Sequence, residues 1–466
     1  MVKTNSSLAG VDYHESVLDT VGRTPLVRVR MLARESRGTV LAKLEAFNPC
    51  GSVKDRIGLA MVEAAERSGR LAPGGTIVEC TSGNTGLGLA MVAAVRGYRA
   101  VFCMPDKVSI EKVNLLKAFG AEVVLSPTAV PPESPDSYYS VARRIERDRP
   151  GAVLMDQYHN PANPQAHYLT TGPELWEQTA GKITHFVAGM GTGGTISGTG
   201  RYLKEKNPKV QVIGADPVGS ILKHYHETRE MSEPHTYKIE GVGEDFIPTA
   251  TDFSVIDRVI SCGDREGLNM TRRLARQEAI FTGGSGGMAM WVALQVSREL
   301  SADDLLVVLL PDTGERYLSK VHNDAWMRDN HLLDPSATRA LDLVENKRRA
   351  VPGLLMVEVG QPLKRALALI EQYDVTQIPV FRDKEPVGTL FDNDILKTAL
   401  ADPSAVDRPV EEWMAEPLPV VGSDEPVDRV TRLLASRNPA VLVRHNGGVV
   451  GILTRFDMLQ FIAGGE

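Results

Sequence analysis

Short apolar runs alternate with helix-like segments from about residue 24 to residue 330, and this alternation constrains the fold more than any other feature. The runs are rich in β-branched residues and cover residues 40–44, 76–79, 100–104, 122–125, 185–189, 210–215 and 305–310. Between them, segments such as 55–68 and 87–96 carry apolar residues near helical spacing. The pattern predicts an α/β fold with mostly parallel sheets. Ligands of such sheets bind beyond the carboxyl ends of the strands, so the turns after the runs are the first place to look for a site.

Composition and charge exclude several classes of function. The net charge is −7 and no basic run stands out, so a nucleic-acid partner is not expected. The first twenty residues have no apolar signal core, and no stretch approaches the roughly 20 apolar residues of a membrane span. The four cysteines are widely spaced and form no CxxC or Cys/His cluster, so we expect free thiols and no metal site. Together these features predict a cytoplasmic protein.

One lysine stands at a position where a nucleophilic amine could form. In the segment NPCGSVKDR, residues 48–56, a Ser-Val-Lys turn leads directly into a predicted helix and places Lys54 at its start. The positive end of the helix dipole disfavours an ammonium, and a neutral lysine can form a Schiff base. An ordinary exposed lysine at a helix start is the alternative interpretation of this segment taken alone.

Three glycine-rich turns precede predicted helices: TSGNTG at 81–86, GTGGT at 191–195 and GGSGG at 283–287. Backbone N–H groups at a helix start bind anions, and the second turn, which follows an apolar strand, suits a phosphate dianion bound without a cation. It is not a GxGxxG turn and lacks an acidic residue at the ribose spacing, so a dinucleotide site is disfavoured. Taken singly, each turn can also be a tight turn with helix caps.

Taken together and in this order, the four segments resemble the fold-type II pyridoxal-phosphate enzymes, in particular the cystathionine β-synthase and cysteine synthase group. The words GRTPLV at Gly22, DQY at Asp156 and EGVGEDFIP at Glu240 extend the resemblance over about residues 15–330. It implies pyridoxal 5′-phosphate as the cofactor and two α/β subdomains with mostly parallel sheets. Residues 1–330 are therefore expected to form the catalytic domain.

The resemblance also implies a role for each site residue. Lys54 would carry the cofactor as a Schiff base and then move the α-proton, Asn84 would bind the phenolic oxygen of the ring, and Ser285 would face the pyridine nitrogen. A neutral serine would not keep that nitrogen protonated. The ring would then be a weaker electron sink, which favours β-elimination. The implied phosphate cradle is Gly191, Thr192, Gly193, Gly194 and Thr195. The implied site for the substrate carboxylate is Thr81, Ser82, Thr85 and Gln157.

The two branches of this group differ in the nucleophile that they add to an aminoacrylate. MPDKVSIEKV, GADPVGSI and DAWM resemble the cystathionine β-synthase branch, whereas PDTGERYLS near Asp312 is closer to cysteine synthase. Glu244 stands where the animal synthases commonly have a tyrosine. We expect a lyase that condenses serine, or an activated serine, with homocysteine to cystathionine in transsulfuration and cysteine biosynthesis. The alternatives are a cysteine synthase using O-acetylserine and sulfide, and a ligand-sensing protein with a degenerate active site.

Two segments outside the four motifs limit the architecture further. Only about twenty residues precede GRTP, which leaves no room for the haem-binding extension of the animal enzymes, so no haem is expected. Residues 331–340 are polar and without a strong period, and we expect them to form a linker.

The remaining residues, 341–466, contain an internal repeat with units at about 341–400 and 408–466. Gly388 and Asp394 in the first unit correspond to Gly451 and Asp457 in the second, both at an offset of 63 residues. The repeat resembles a pair of CBS domains, a Bateman module.

Such modules commonly bind adenosine-containing ligands through a Gly-h-h-Thr-x-x-Asp word, where h is apolar. The second unit has the word intact as GILTRFD, whereas the first has Phe391 in place of the hydroxyl. The resemblance implies at most one complete ligand site, formed by Val375, Thr376, Gln377, Ile378, Thr454 and Asp457. S-adenosylmethionine is the first candidate ligand and adenine nucleotides are the next; a module that dimerises and binds nothing is the alternative. The resemblance also implies at least a homodimer.

Overall fold

The computed structural model describes residues 11–81, 83–106, 108, 110–127, 130, 134–333, 338–345, 347, 354–436 and 438–463. The chain divides into two compact units, Met1–Met327 and Arg328–Glu466. The predicted limits of the catalytic domain, the linker and the repeats stay predictions, and residues 334–337 of the linker lie outside the described residues.

The first unit is built on two sheets. Its strands are β1 (Leu26–Arg28), β2 (Thr39–Leu44), β3 (Thr76–Cys80), β4 (Arg99–Pro105), β5 (Glu122–Ser126), β6 (Ala152–Leu154), β7 (His185–Gly189), β8 (Gln211–Pro217), β9 (Arg258–Cys262) and β10 (Leu305–Leu310). The larger sheet has the order β1-β2-β10-β7-β8-β9 and the smaller one β5-β4-β3-β6. Every pair is parallel except β1 with β2. The predicted α/β fold with mostly parallel sheets is confirmed.

Helices connect these strands as parallel crossovers require. They are α1 (Lys54–Arg67), α2 (Asn84–Arg96), α3 (Ile110–Ala118), α4 (Tyr138–Asp148), α5 (Ala162–Leu169), α6 (Thr171–Gln178), α7 (Gly194–Lys206), α8 (Leu222–Thr228), α9 (Asp264–Arg273), α10 (Gly284–Ser297) and α11 (Asp324–Asp329). A π-helical turn, Leu274–Glu278, continues α9.

Several apolar runs of the sequence form strands that are covered on both faces. All five residues of β3 are buried, as are five of the six in β10, which explains why these segments are continuous rather than alternating in hydrophobicity. The smaller sheet and α1 and α2 share a core around Ile57, Leu89 and Phe102. The larger sheet packs around Phe186 and Val307.

The second unit contains two copies of one α/β motif. Its elements are α12 (Ala340–Glu345), β11 (Val357–Glu358), α13 (Leu363–Tyr373), β12 (Gln377–Arg382), β13 (Glu385–Phe391), α14 (Asp392–Ala401), β14 (Val420–Gly422), α15 (Val427–Ala435), β15 (Ala440–His445), β16 (Gly448–Thr454) and α16 (Arg455–Ala463). The sheets β11-β12-β13 and β14-β15-β16 each join a parallel pair to an antiparallel pair. Phe381 and Leu442 belong to one apolar cluster, so the two copies pack together. The predicted tandem repeat is confirmed.

None of the helices in the described part of the chain has the length and apolar character needed to cross a membrane. The same residues contain no group of three or more His, Cys, Asp or Glu side chains arranged to hold a metal ion.

Candidate active site

Lys54 is the first residue of α1, and its turn is fastened to the chain that follows β10. The Lys54 backbone N–H donates to Ser52 Oγ at 3.2 Å, and Ser52 in turn forms a bridge with Asp312. Burial lowers the pKa of the half-buried Lys54, although the carboxylates of Asp312 and Glu244 oppose that shift. The amine therefore loses its proton more readily than an exposed lysine and can act as a nucleophile or base.

The TSGNTG turn joins β3 to α2 and buries both of its threonines. Thr81 Oγ1 accepts hydrogen bonds from the backbone N–H groups of Gly83 at 3.1 Å and Gly86 at 3.3 Å. Thr85 Oγ1 donates to Gln157 Oε1 at 2.7 Å. Thr81, Thr85 and Gln157 are all buried, so three of the four predicted carboxylate ligands lie around one turn. Ser82, the fourth, lies outside the described residues.

Asp312 connects the Asn84 turn with the turn that contains Ser285. Its buried carboxylate accepts hydrogen bonds from Asn84 Nδ2 at 2.8 Å, Tyr317 Oη at 2.7 Å and the Gly283 backbone N–H at 3.2 Å. Ser285 is the second residue of α10 and is also buried. Lys54, Asn84 and the Ser285 turn, which are far apart in sequence, thus converge on one carboxylate.

Sequence reasoning missed the roles of Asp312 and its neighbour Arg316. Arg316 donates to Asn84 Oδ1 and to the carbonyl of Cys50, so the amide of Asn84 is held at both ends. The available signal was an acidic residue two positions after the buried strand β10, at the edge where parallel sheets bind ligands.

The GTGGT turn forms a concave cradle at the start of α7 that only small residues can line. Gly193 has φ +80°, in the left-handed region, and a Cβ there would overlap Thr251. A Cβ on Gly194 would overlap the amide of Asn163. The turn therefore presents backbone N–H groups at a helix start, the arrangement that binds a phosphate dianion.

The side chains around this cradle are neutral. Asn163 Nδ2 donates to Thr192 Oγ1 at 3.1 Å, while its buried Oδ1 has no hydrogen-bond partner among the described residues. His167 lies 3.2 Å from Thr195 Oγ1 and 2.9 Å from Thr171 Oγ1, and burial drives its pKa well below the usual range. The histidine is thus uncharged at neutral pH, and the cradle relies on N–H groups and hydroxyls.

Two glycines fix the distance between the Lys54 helix and the Asn84 helix. A Cβ on Gly58 would lie 2.6 Å from the carbonyl carbon of Gly88, and a Cβ on Gly88 would lie 2.6 Å from the carbonyl oxygen of Lys54. Helices α1 and α2 therefore touch backbone to backbone within about one turn of both side chains.

A buried charge cluster of Lys43, Glu45, Arg56 and Glu174 supports the first turn of α1. Arg56 Nε lies 2.7 Å from Glu45 Oε2, and Arg56 Nη1 lies 2.7 Å from Glu174 Oε1. Lys43 Nζ lies 2.9 Å from Glu174 Oε2. The cluster holds the Lys54 turn against β2 and α6, and no sequence motif indicated it.

In the second unit, the two predicted residues of the intact Gly-h-h-Thr-x-x-Asp motif lie close together. Asp457 Oδ2 accepts hydrogen bonds from the backbone N–H and the hydroxyl of Thr454, both at 2.7 Å, and pairs with Lys347 Nζ at 2.9 Å. The other four predicted residues lie before and at the start of β12: Val375, Thr376, Gln377 and Ile378. Among the described residues, no hydrogen bond or ion pair joins these four to Thr454 or Asp457.

The first unit thus combines a lysine of lowered pKa, a cation-free phosphate cradle, and an asparagine and a serine held near one carboxylate. These are the groups that a pyridoxal-phosphate enzyme needs for its aldehyde, phosphate and ring, and the residues present fit that cofactor.

Comparison with known proteins agrees with this class. The family described as pyridoxal-phosphate dependent enzyme matches residues 17–312, and the CBS domain matches 344–401 and 410–464. The chain is 37% identical to the cystathionine beta-synthase of Apis mellifera over 458 residues, which is 96% of this chain and 90% of that one. It is 36% identical to that of Dictyostelium discoideum over 462 residues, covering 96% and 92%. A crystal structure of O-ureido-L-serine synthase matches with a TM-score of 0.62 and 40% identity, over 68% of this chain and 99% of that chain.

The chain belongs to the cystathionine beta-synthase family of pyridoxal-phosphate dependent enzymes. The predicted family, cofactor and CBS-domain pair are confirmed.

Proposed function

We propose that this enzyme condenses serine, or an activated serine, with homocysteine to form cystathionine. With serine, a C–O bond breaks and a C–S bond forms, and the thiol proton leaves with the hydroxyl group as water. The observation that carries the proposal is the convergence of Lys54, Asn84 and the 283–287 turn on Asp312, in a chain that aligns over 96% of its length with cystathionine beta-synthases.

When bound, pyridoxal phosphate supplies an electron sink that allows the β-substituent of an amino acid to leave. Lys54 Nζ would hold the cofactor, and the N–H groups and hydroxyls of residues 191–195 would bind its phosphate. Asn84 and Ser285 would bind the phenolic oxygen and the ring nitrogen. The buried positions of Asn163 and Ser285 and the neutral state of His167 support a site built for a dianion and an uncharged ring.

Lys54 would also move the α-proton. Because burial lowers its pKa, this amine gives up its proton more readily than an exposed lysine, which suits a group that takes a proton from Cα and returns it. The backbone contact of Gly58 with Gly88 keeps this amine in register with the substrate turn.

Thr81, Ser82, Thr85 and Gln157 would bind the carboxylate of serine. The buried hydroxyl of Thr81 orders the turn by accepting two backbone N–H groups, and the Thr85–Gln157 hydrogen bond joins the turn to the chain after β6. Neutral donors in a buried turn can bind a carboxylate without pairing it to a cation, which leaves the amino group to set the orientation.

The CBS-domain pair would bind one adenosine-containing ligand, with S-adenosylmethionine as the first candidate, and adjust the activity of the first unit. Thr454 and Asp457 would contact its ribose or phosphate, and Lys347 already pairs with Asp457 Oδ2. In the first repeat, Phe391 stands where the second repeat has Thr454, so the first repeat lacks the equivalent hydroxyl group. This difference supports a single ligand site.

We further propose a homodimer or higher homo-oligomer in the cytoplasm. The oligomeric state rests on the resemblance to the family. The four cysteines are free, which suits a reducing compartment.

Borohydride reduction followed by peptide mapping tests the site. The reduced cofactor should be found on the peptide that contains Lys54. Lys54→Ala should lose the yellow colour and about 10²- to 10⁴-fold of activity, whereas Lys117→Ala, an exposed lysine on α3, should lose neither. A label on another lysine would refute the assignment.

Product analysis tests the substrates separately. Serine with homocysteine should give cystathionine at a higher kcat/KM than O-acetylserine with sulfide gives cysteine. The reverse order would identify a cysteine synthase.

A further inference from the structure

A cavity of about 450 Å³ lies beside the substrate turn, and no role given above uses it. Its position follows from the chain, because Cys80 immediately precedes Thr81 and Gln157 stands between two of the lining residues. The groups that characterise the cavity are Glu79, Tyr139, Arg143, Asp156, Tyr158 and Phe246.

Two opposite charges in this lining have no partner among the residues that the structure describes. Arg143, on α4, is exposed, and Asp156, after β6, is half-buried. In the described part of the chain neither side chain forms a hydrogen bond or an ion pair. Glu79 differs, because its two oxygens accept the backbone N–H groups of Cys80 at 2.8 Å and Gln157 at 3.2 Å. A free cation and a free anion facing one cavity match a zwitterion, with a carboxylate for the arginine and an ammonium for the aspartate.

The backbone of Asp156 is strained in a way that functional sites tolerate. Its φ is +52°, in the left-handed region, where asparagine and aspartate are the least disfavoured side chains after glycine. Strain of this kind persists where the surrounding structure requires the residue at that place.

Aromatic rings also line the cavity. The rings of Tyr158 and Phe246 meet edge to face with centroids 5.1 Å apart. Burial raises the pKa of Tyr139 to about 12, so its hydroxyl stays a neutral donor. An aromatic wall suits the methylene groups and sulfur of a thiol side chain.

The cavity wall is also joined to the substrate turn. Gln157 Nε2 donates to the carbonyl of Cys80, a lining residue, at 3.4 Å, and Gln157 Oε1 accepts from the Thr85 hydroxyl at 2.7 Å. The chain that lines the cavity is therefore bonded directly to two of the predicted carboxylate ligands.

We infer that this cavity is the subsite for the acceptor of the β-replacement, a zwitterionic amino-acid thiol, with Arg143 binding its carboxylate and Asp156 its ammonium. The inference rests on the proposed function and adds to it the groups that select homocysteine over an uncharged thiol or sulfide.

The test compares two acceptors at saturating serine in the holoenzyme. Homocysteine carries both charges, and 2-mercaptoethanol carries neither. Both variants should lower the ratio of kcat/KM for homocysteine to that for 2-mercaptoethanol, Asp156→Asn by about tenfold, as the loss of one charge-assisted hydrogen bond predicts, and the exposed Arg143→Gln by about two- to fivefold. Asparagine is chosen because it accepts the left-handed backbone of position 156.

Arg144→Gln is the matched control, since Arg144 is an exposed neighbour on α4 outside the cavity lining. A fall in the ratio for either cavity variant but not for the control supports the inference. An unchanged ratio in both cavity variants, or an equal fall in the control, overturns it. Failure of the wild-type enzyme to make cystathionine overturns the proposed function itself, and this outcome is recognised without any variant.

Discussion

Glu45→Gln should destabilise the first unit by about 3 to 5 kcal/mol, because it leaves a buried guanidinium without one of its two counter-charges. Glu45 has 0% and Arg56 3% of its surface exposed. The pair is bidentate, with Nε to Oε2 at 2.7 Å and Nη2 to Oε1 at 2.9 Å. A glutamine can accept only one of these bonds and turns an N–H group toward the other.

The state of the remaining charges refines this magnitude. Burial alone would raise the pKa of Glu174, but Arg56 and Lys43 hold it at about 2, so Glu174 stays ionised at pH 7. The substitution then leaves two cations and one anion. Burial already lowers the pKa of Lys43, so loss of its proton can relieve part of the excess charge. We therefore expect a cost near the lower limit, about 3 kcal/mol.

Urea unfolding followed by tryptophan fluorescence measures this cost. Trp176, Trp291 and Trp326 lie in the first unit, and only Trp413 lies in the second. With a slope of about 3 kcal/mol/M, the midpoint should fall by about 1 M. Glu63→Gln is the control, since Glu63 forms a partly exposed ion pair with Arg96 and should cost less than about 1 kcal/mol. Equal midpoint shifts in the two variants would refute the reasoning.

Two further predictions concern the cofactor site and the CBS-domain pair. Asp312→Asn should raise the Kd of pyridoxal phosphate or lower kcat by about 10- to 100-fold, because an amide cannot accept all three hydrogen bonds of the carboxylate. Fluorescence titration measures the Kd and steady-state rates measure kcat. A Kd and a kcat equal to those of the wild type would disprove the role of Asp312. S-adenosylmethionine at 100 times its Kd should stabilise the native protein by about 2.7 kcal/mol, visible as a raised Tm that Asp457→Asn abolishes; no shift in the wild type would exclude this ligand.

Local sequence contained most of what defines the fold. The continuous apolar runs before Thr81, Gly191 and Pro311 form strands that are buried on both faces. Such a strand is recognised from the run itself, without information from any other segment of the chain. The three glycine-rich turns were also readable, because a helix start and the lack of Cβ atoms are properties of a few consecutive residues.

The residues that sequence reasoning missed depend on contacts between distant segments. Asn84 and Asp312 are 228 positions apart, and nothing near either one indicates the other. Glu45, in a turn after β2, and Arg56, at the start of α1, look like surface charges, and their burial becomes visible only when β2, α1 and the Glu174 helix come together. Asp156 stood in a recognised family motif, but its left-handed backbone, and a carboxylate without a partner among the described residues, appear only in three dimensions.

The crossing of Gly58 with Gly88 makes the lysine and the asparagine parts of one rigid frame. Domain closure over a substrate cannot draw these two groups closer together, because closer approach at the crossing would drive one main chain into the other. Adaptation to a new donor amino acid must then come from the turn between β3 and α2 or from the opposite wall of the cleft. Laboratory evolution should leave positions 58 and 88 untouched while these neighbouring surfaces diversify.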